Sequence, residues 1–283
     1  MKPRLIAILL IGCLAGISIV LAGCCMCWNW GAQEHYERTE QLSSPMEGIE
    51  HLKVDTSFGE VKIIGQDRAD CNITAKINSN APTYDEAKRL AEETKIILET
   101  KGNTLIIRAD KPYNTGHNRS IGIAYDVVLP IKTSINCDTS FGKVELKNIT
   151  GEVWAKSSFG KIEAENISGK INLDTSYGEI DCEKIISGDF HAKTSFGKVD
   201  IRFADACPAD LKAKIETSYG EAVCELAKSF QGNVDIETSF GSIKTELPIL
   251  VKGEVGKSHI TGSIGSGNGR LDLKTSFGSV RIK

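Results

Sequence analysis

One tetrapeptide returns along this chain too often to be a site. It reads Thr56-Ser57-Phe58-Gly59, Thr139-Ser140-Phe141-Gly142, Ser157-Ser158-Phe159-Gly160 and Thr175-Ser176-Tyr177-Gly178. It continues as Thr194-Ser195-Phe196-Gly197, Thr217-Ser218-Tyr219-Gly220, Thr238-Ser239-Phe240-Gly241 and Thr275-Ser276-Phe277-Gly278. A degenerate copy, His259-Ile260-Thr261-Gly262, keeps the spacing and loses the letters. From Gly142 onward the motif glycines stand 18, 18, 19, 23, 21, 21 and 16 residues apart. Units this short cannot bury a core alone, so the period demands that they stack on one another.

Nine residues before the motif glycine, six copies carry a second one: Gly151, Gly169, Gly188, Gly232, Gly253 and Gly269. Between the two, polar and apolar residues alternate, as in Gly169 to Gly178, where Ile171, Leu173, Thr175 and Tyr177 share one phase. That is the period of a strand. The motif Gly ends it and permits a corner. A short second strand follows, as in Val144-Glu145-Leu146 and Ile180-Asp181-Cys182. The predicted fold is all-β: a single-chain β-solenoid of parallel rungs, seven or eight of them making a rod roughly 35–40 Å long. An antiparallel β array is the alternative reading of the same pattern. The alternation predicts that Thr and the aromatic residue both turn inward as columns, with Ser outward. A Phe→Ala change in a middle rung would then cost roughly 3–5 kcal/mol.

The outward positions support in-register stacking independently. One place before the Thr the series runs Asp138, Lys156, Asp174, Lys193, Glu216, Glu237. One place after the Gly it runs Lys143, Lys161, Glu179, Lys198, Glu221, Ser242. Sign alternates through most of both columns, which favours cross-strand attraction.

Residues 48–130 are less regular. Val61 to Ile64, Cys71 to Ile77 and Ile121 to Leu129 read as strands. A helix is predicted over 83–94, capped by Thr83 or Asp85 and apolar along Ala87, Leu90 and Ala91. It is expected to lie against the sheet or cover an open end. Gly102-Asn103 signals a hairpin between Lys95–Glu99 and Thr104–Arg108. One continuous β domain over 48–283 is expected, irregular to 130 and regular from 131.

The N-terminus reads as a targeting segment. Lys2 and Arg4 precede an apolar run from Leu5 to Val20, then Leu21-Ala22-Gly23-Cys24. This resembles a bacterial lipobox, so residues 1–23 are expected to be a lipoprotein signal peptide and Cys24 the lipidated residue, tethering the body to the membrane. An uncleaved transmembrane anchor is the alternative. Residues 24–47, with Cys25, Cys27, Trp28 and Trp30, read as lipid anchor and spacer. Either way the body faces the periplasm or the exterior of a bacterial envelope. A net charge of −3 over 283 residues, with no Lys/Arg block, argues against a nucleic-acid partner.

The solenoid letters, together with the helix and the "gNTLIIR" stretch ending at Arg108, resemble the bacterial "putative adhesin" family, domain of unknown function 4097, over about residues 48–283. The resemblance implies a β-solenoid-like domain on an envelope-exposed, often membrane-attached protein. It supplies no catalytic residues.

Chemical readings of the motif fail on its own terms. A nucleophile elbow needs one Ser with a His and an acid nearby; here equivalent serines recur while His35, His51, His117, His191 and His259 are scattered. No catalytic, cofactor or metal residues are assigned. Asp181, Asp200 and Arg202, the residues an envelope glycan-acting β-helix enzyme would use, read as ion pairing. Cys71, Cys137, Cys182 and Cys224 fall at inward phases. Cys182 and Cys224 lie two units apart, too far to bridge. Cys207 is expected as a free thiol in a loop. The irregular inserts 203–210, 225–231 and 246–252 should gather on one side, where they either bind an envelope glycan or protein or widen the core through Phe230 and Leu250. The expected function is non-catalytic surface binding or scaffolding. The alternatives are the envelope glycan-acting enzyme and a structural protein assembling end to end.

Overall fold

The computed structural model describes residues 33–112, 118–251 and 258–283. The expected signal peptide (residues 1–23), Cys24, Cys25, Cys27, Trp28, Trp30, His117 and Gly253 lie outside the described residues.

Alternation of apolar and polar residues builds two long sheets that face each other across one core. Sheet one carries the motif strands, with Ser134–Phe141, Val153–Phe159, Ile171–Tyr177, Asp189–Phe196 and Lys212–Tyr219 paired in parallel and in chain order. Sheet two carries the short second strands, with Val144–Thr150, Ile162–Ser168, Ile180–Ile185, Val199–Phe203 and Ala222–Glu225 in the same order. Each rung crosses sheet one, turns at the motif glycine, returns through sheet two and steps up. The parallel solenoid is therefore the architecture. Inward residues such as Ile171, Leu173, Ile180 and Cys182 are fully buried.

Chain order fails in the last rungs. Gly269–Phe277 pairs with Lys212–Tyr219 on one side and Gly232–Phe240 on the other, so the C-terminal rung is inserted between its two predecessors. Val280–Ile282 does the same in sheet two, between Ala222–Glu225 and Ile243–Thr245. The outward column before the Thr becomes Glu216, Lys274, Glu237 in space. The two adjacent acids of the sequence series are separated by a lysine, whose Nζ lies 3.1 Å from Glu237 Oε2. The degenerate copy is not a rung: His259–Ile264 pairs antiparallel with Gly232–Phe240 and with Leu250–Val251.

Corner glycines are required by crowding more than by φ. A Cβ on Gly142 would collide with the carbonyl oxygen of Gly59, one on Gly160 with that of Gly142, and one on Gly178 with that of Gly160. The same column ends Gly197, Gly220, Gly278, Gly241, in spatial rather than chain order.

At the N-terminal end the stretch expected as a spacer is a strand. Glu34–Pro45 pairs antiparallel with Asp70–Ala81 along its whole length. Its inward places hold Tyr36, Arg38, Glu40 and Leu42, so the apolar alternation is half erased. Asp70–Ala81 pairs antiparallel with Ser120–Pro130, which is parallel to Val61–Gln66 and so joins the stack. Sheet one ends in the hairpin Lys95–Lys101 with Thr104–Asp110. The helix Tyr84–Glu93 is capped by Thr83 and buries Ala87, Leu90 and Ala91. Its companions are the first strand and Asp70–Ala81: Ser79 Oγ donates to Ala87 O at 2.6 Å and Arg38 Nη2 to Thr94 O at 2.7 Å. It thus covers the inner face of the terminal strands.

Candidate functional site

The polar atoms of the motif hold rungs together. Thr175 Oγ1 donates to Gly160 O at 3.1 Å, Thr194 to Gly178 at 2.9 Å and Thr217 to Gly197 at 3.0 Å. Thr275 donates to Gly220 and Thr238 to Gly278, at 3.2 and 2.9 Å, following the spatial order. These threonines are buried beside the corner, where the two sheets meet.

The aromatic residues correct the sequence expectation. They form a column, but it faces solvent: Phe58, Phe141, Phe159, Tyr177, Phe196, Tyr219, Phe277 and Phe240 are 42–68 % exposed. Each follows the outward Ser, at the point where the strand bends into the corner, so strict alternation no longer sets its direction. The last inward place belongs to Thr. Neighbouring rings stack with centroids 4.7–4.9 Å apart and planes within 7°. The rung spacing imposes that distance. Between the two ends, Phe58 and Phe240, which stack on one neighbour each, only ring edges are therefore offered to the outside.

Sheet two's outward face is an ionic lattice. Lys143 Nζ lies 3.2 Å from Glu145 and 2.6 Å from Glu163, and Lys161 lies 2.9 Å from Glu163 and 3.3 Å from Asp181. Burial works against the charge on Glu145, but its lysine neighbours Lys147, Lys143 and Lys62 outweigh it and hold the carboxyl below its usual range. Asp200 pairs with Lys198 at 2.7 Å and Arg202 at 3.6 Å. The residues an envelope glycan-acting β-helix enzyme would use are thus engaged in ion pairs, Asp181 with Lys161 and Asp200 with Lys198 and Arg202. Among the described residues no group of three His, Cys, Asp or Glu could hold a metal.

Sheet one's outward face differs. Its second column reads Lys53, Asn136, Trp154, Asn172, His191, Lys214, Asp272, Asp235 in spatial order. Around Trp154 lies an open depression of about 430 Å³, bordered by His51, Lys53, Thr104, Glu152, Lys170 and the two asparagines. Asn136, Trp154 and Asn172 are spaced by 18 residues each way. That spacing in an outward phase is present in the sequence, but only the register of the strands gives it meaning.

The inserts follow strands of sheet two and therefore lie at the edge opposite the aromatic column. They split the two expectations. Leu226, Ala227 and Phe230 are buried and widen the core, whereas Leu250 is 73 % exposed. The inserts 203–210 and 225–231 bind one another, with Ser229 Oγ donating to Cys207 O at 2.9 Å. Cys207 is a free thiol, as expected, but not an accessible one: it is buried, and its Sγ donates to Ser187 O at 3.0 Å. Cys71, Cys137, Cys182 and Cys224 are free and buried. Ile201 lies between Cys182 and Cys224. Burial pushes the Cys71 and Cys137 thiols up to about 12.

Residues 130–283, more than half of the chain, match the family model described as Toastrack DUF4097. The chain belongs to that family. No curated protein matches it. Among solved structures it is similar to a "putative cell adhesion protein" from Clostridium sporogenes, at 19 % identity and TM-score 0.39, over 88 % of this chain and 99 % of that one. It is also similar to a "putative adhesin" from Bacteroides fragilis, at 12 % identity and TM-score 0.43, over 87 % and 97 %. A "putative lipid binding protein" from Parabacteroides distasonis is similar at 13 % identity and TM-score 0.36, over 87 % and 96 %.

Proposed function

We propose that this Toastrack chain is a non-catalytic binding protein of the bacterial envelope, tethered through lipid on Cys24, whose rigid stack presents a recognition surface. The observation that carries this reading is the outward side of the eight motif rungs. There a continuous ladder of half-exposed rings borders a sheet face of mixed polar side chains. Contiguous exposed apolar surface of this kind marks interaction sites in soluble domains. Thr175, Thr194, Thr217, Thr238 and Thr275, meanwhile, are occupied in holding the rungs. The inserts at the opposite edge, with exposed Leu250, offer a second contact for an envelope glycan or protein.

Two measurements test the reading. Mass spectrometry of the mature protein should find an acylated N-terminal Cys24; an unprocessed Met1 overturns the lipid anchor. The full-length protein, solubilised in detergent, should bind envelope polysaccharide saturably and leave it chemically unchanged. Turnover would favour an enzyme, and concentration-dependent rods a structural polymer.

A further inference from the structure

We infer that the outward face of sheet one binds a neutral carbohydrate chain, with Trp154 as its stacking platform and Asn136 and Asn172 as its hydroxyl readers. This rests on the surface-binding reading above and names its ligand class and its site.

Trp154 is the one tryptophan among the described residues, and it sits at an outward position of a face whose other columns are polar or charged. A half-buried Trp in that position costs apolar exposure and adds nothing to the core. Its cross-strand neighbours on both sides are asparagines in direct register. Neither Asn amide makes a hydrogen bond to any described residue. Each therefore presents two N–H donors and a carbonyl acceptor outward. Vicinal sugar hydroxyls, which donate and accept at once, complement that pairing.

Two features choose between the aromatic surfaces of the molecule. A sugar packs its C–H face onto the electron-rich face of a ring, not onto its edge. In the motif ladder, rings cover one another's faces to within 7°. Among the described residues no ring stacks on Trp154, so its indole faces are free of aromatic neighbours there. Between its terminal rings the ladder therefore borders the sugar site without offering it a ring face, and Trp154 supplies that face.

Size and charge narrow the ligand. The depression of about 430 Å³ falls within the range of small-ligand sites. It is open along the stack, and rungs advance by about 4.8 Å, close to the rise of one residue in an extended sugar chain. Lys53 and Lys170 are offset by Glu152 and by Asp189, which lies 3.0 Å from Lys170. A site without net charge suits a neutral or N-acetylated chain rather than a polyanion.

The test is calorimetric titration of the full-length protein in detergent with chitotetraose, cellotetraose and maltotetraose as probes. Saturable binding of at least one is expected. Trp154→Ala should weaken it tenfold or more, Trp154→Phe should weaken it less, and Asn136→Ala with Asn172→Ala should weaken it several-fold. Phe159→Ala, on the same strand but in the ladder, should leave it unchanged. Circular dichroism checks that each variant is folded; if Trp154→Ala is not, Trp154→Phe against the double asparagine variant decides. Binding that survives these changes and is lost on deleting 204–209 and 226–230 overturns the site while leaving surface binding standing. No binding to any probe overturns the carbohydrate assignment, and cleavage of a probe overturns the non-catalytic reading itself.

Discussion

The rungs from Ser134 to Glu225 and those from Gly232 to Ile282 are written in the same letters, yet they stack by different rules. The first set follows the chain. In the second, the last rung lies between the two before it, and two antiparallel strands, His259–Ile264 and then Leu250–Val251, close sheet one beyond them. Identical motifs cannot encode their own order, because any Thr-Ser-aromatic-Gly corner fits any other. Order has to come from residues outside the motif. The outward charges are one such source: Glu216 and Glu237 would repel as direct neighbours, and Lys274 between them converts repulsion into attraction. Linker length is another. The inserts after Phe203, Glu225 and Thr245 give the chain the slack to skip a place, whereas the short turns at Gly151 and Gly169 do not.

The sharpest way to break this comparison is a cross-link that depends on order alone. Glu216 and Lys274 are in register on adjacent strands, within disulfide reach. Glu216→Cys with Lys274→Cys should oxidise nearly completely. Glu216→Cys with Glu237→Cys, two rungs apart at roughly 9–10 Å, should not. The native described cysteines are buried and will not compete. The opposite result on gels would restore chain order.

A second change probes what both sets share. Gly178→Val places side-chain atoms against the Gly160 carbonyl, and the stack cannot yield without parting two rungs. A loss of about 3 kcal/mol or more is expected in urea unfolding. The equivalent Gly278→Val in the inserted rung should cost as much, since it meets Gly220 in the same way.

Ring removal comes next. Phe196 is 43 % exposed and stacked on both sides, by Tyr177 and Tyr219. Phe196→Ala should cost about 2 kcal/mol, from two stacking contacts and partial burial. That is less than the 3–5 kcal/mol of a core ring, and a larger loss would contradict the outward column. Lys274→Glu should cost about 1 kcal/mol, by lining up three acids, and added salt should shrink the effect. In the chain-ordered set, Lys156→Glu between Asp138 and Asp174 should behave alike.

The smallest effect is the dependence on pH. The carboxyls of Glu145, Glu163 and Glu216 are held below their unfolded range by lysines, against the cost of burial. A depressed carboxyl stabilises the fold fully above its unfolded value near 4.3 and loses that contribution as pH falls through the folded value. Urea midpoints should therefore drop below about pH 4. Glu145→Gln should flatten that limb.

Much of the molecule was legible in advance where one residue type does one job. Thr83 before an acidic first turn announced the helix, Gly102-Asn103 the hairpin, and the alternation from Gly169 to Gly178 a strand. The strand Glu34–Pro45 was not legible, because Arg38 and Glu40 take inward places and leave only Tyr36 and Leu42 as apolar markers. It covers the end of the stack, where half-burial tolerates charge. The Trp154 depression was half legible: the 18-residue spacing of Asn136, Trp154 and Asn172 is in the letters, but its meaning depends on the register that aligns them.

By itself, then, the sequence determined the unit: a strand, a corner and a strand, with apolar inward residues and a preference for parallel partners. Those properties are local, set by backbone period and by what fits beside a glycine. Only the tertiary structure decided which rung neighbours which, that the rings face out, and that one Trp lies open between two amides. Each of those depends on contacts between segments far apart in the chain, and repeated letters carry no information about which distant copy they will meet.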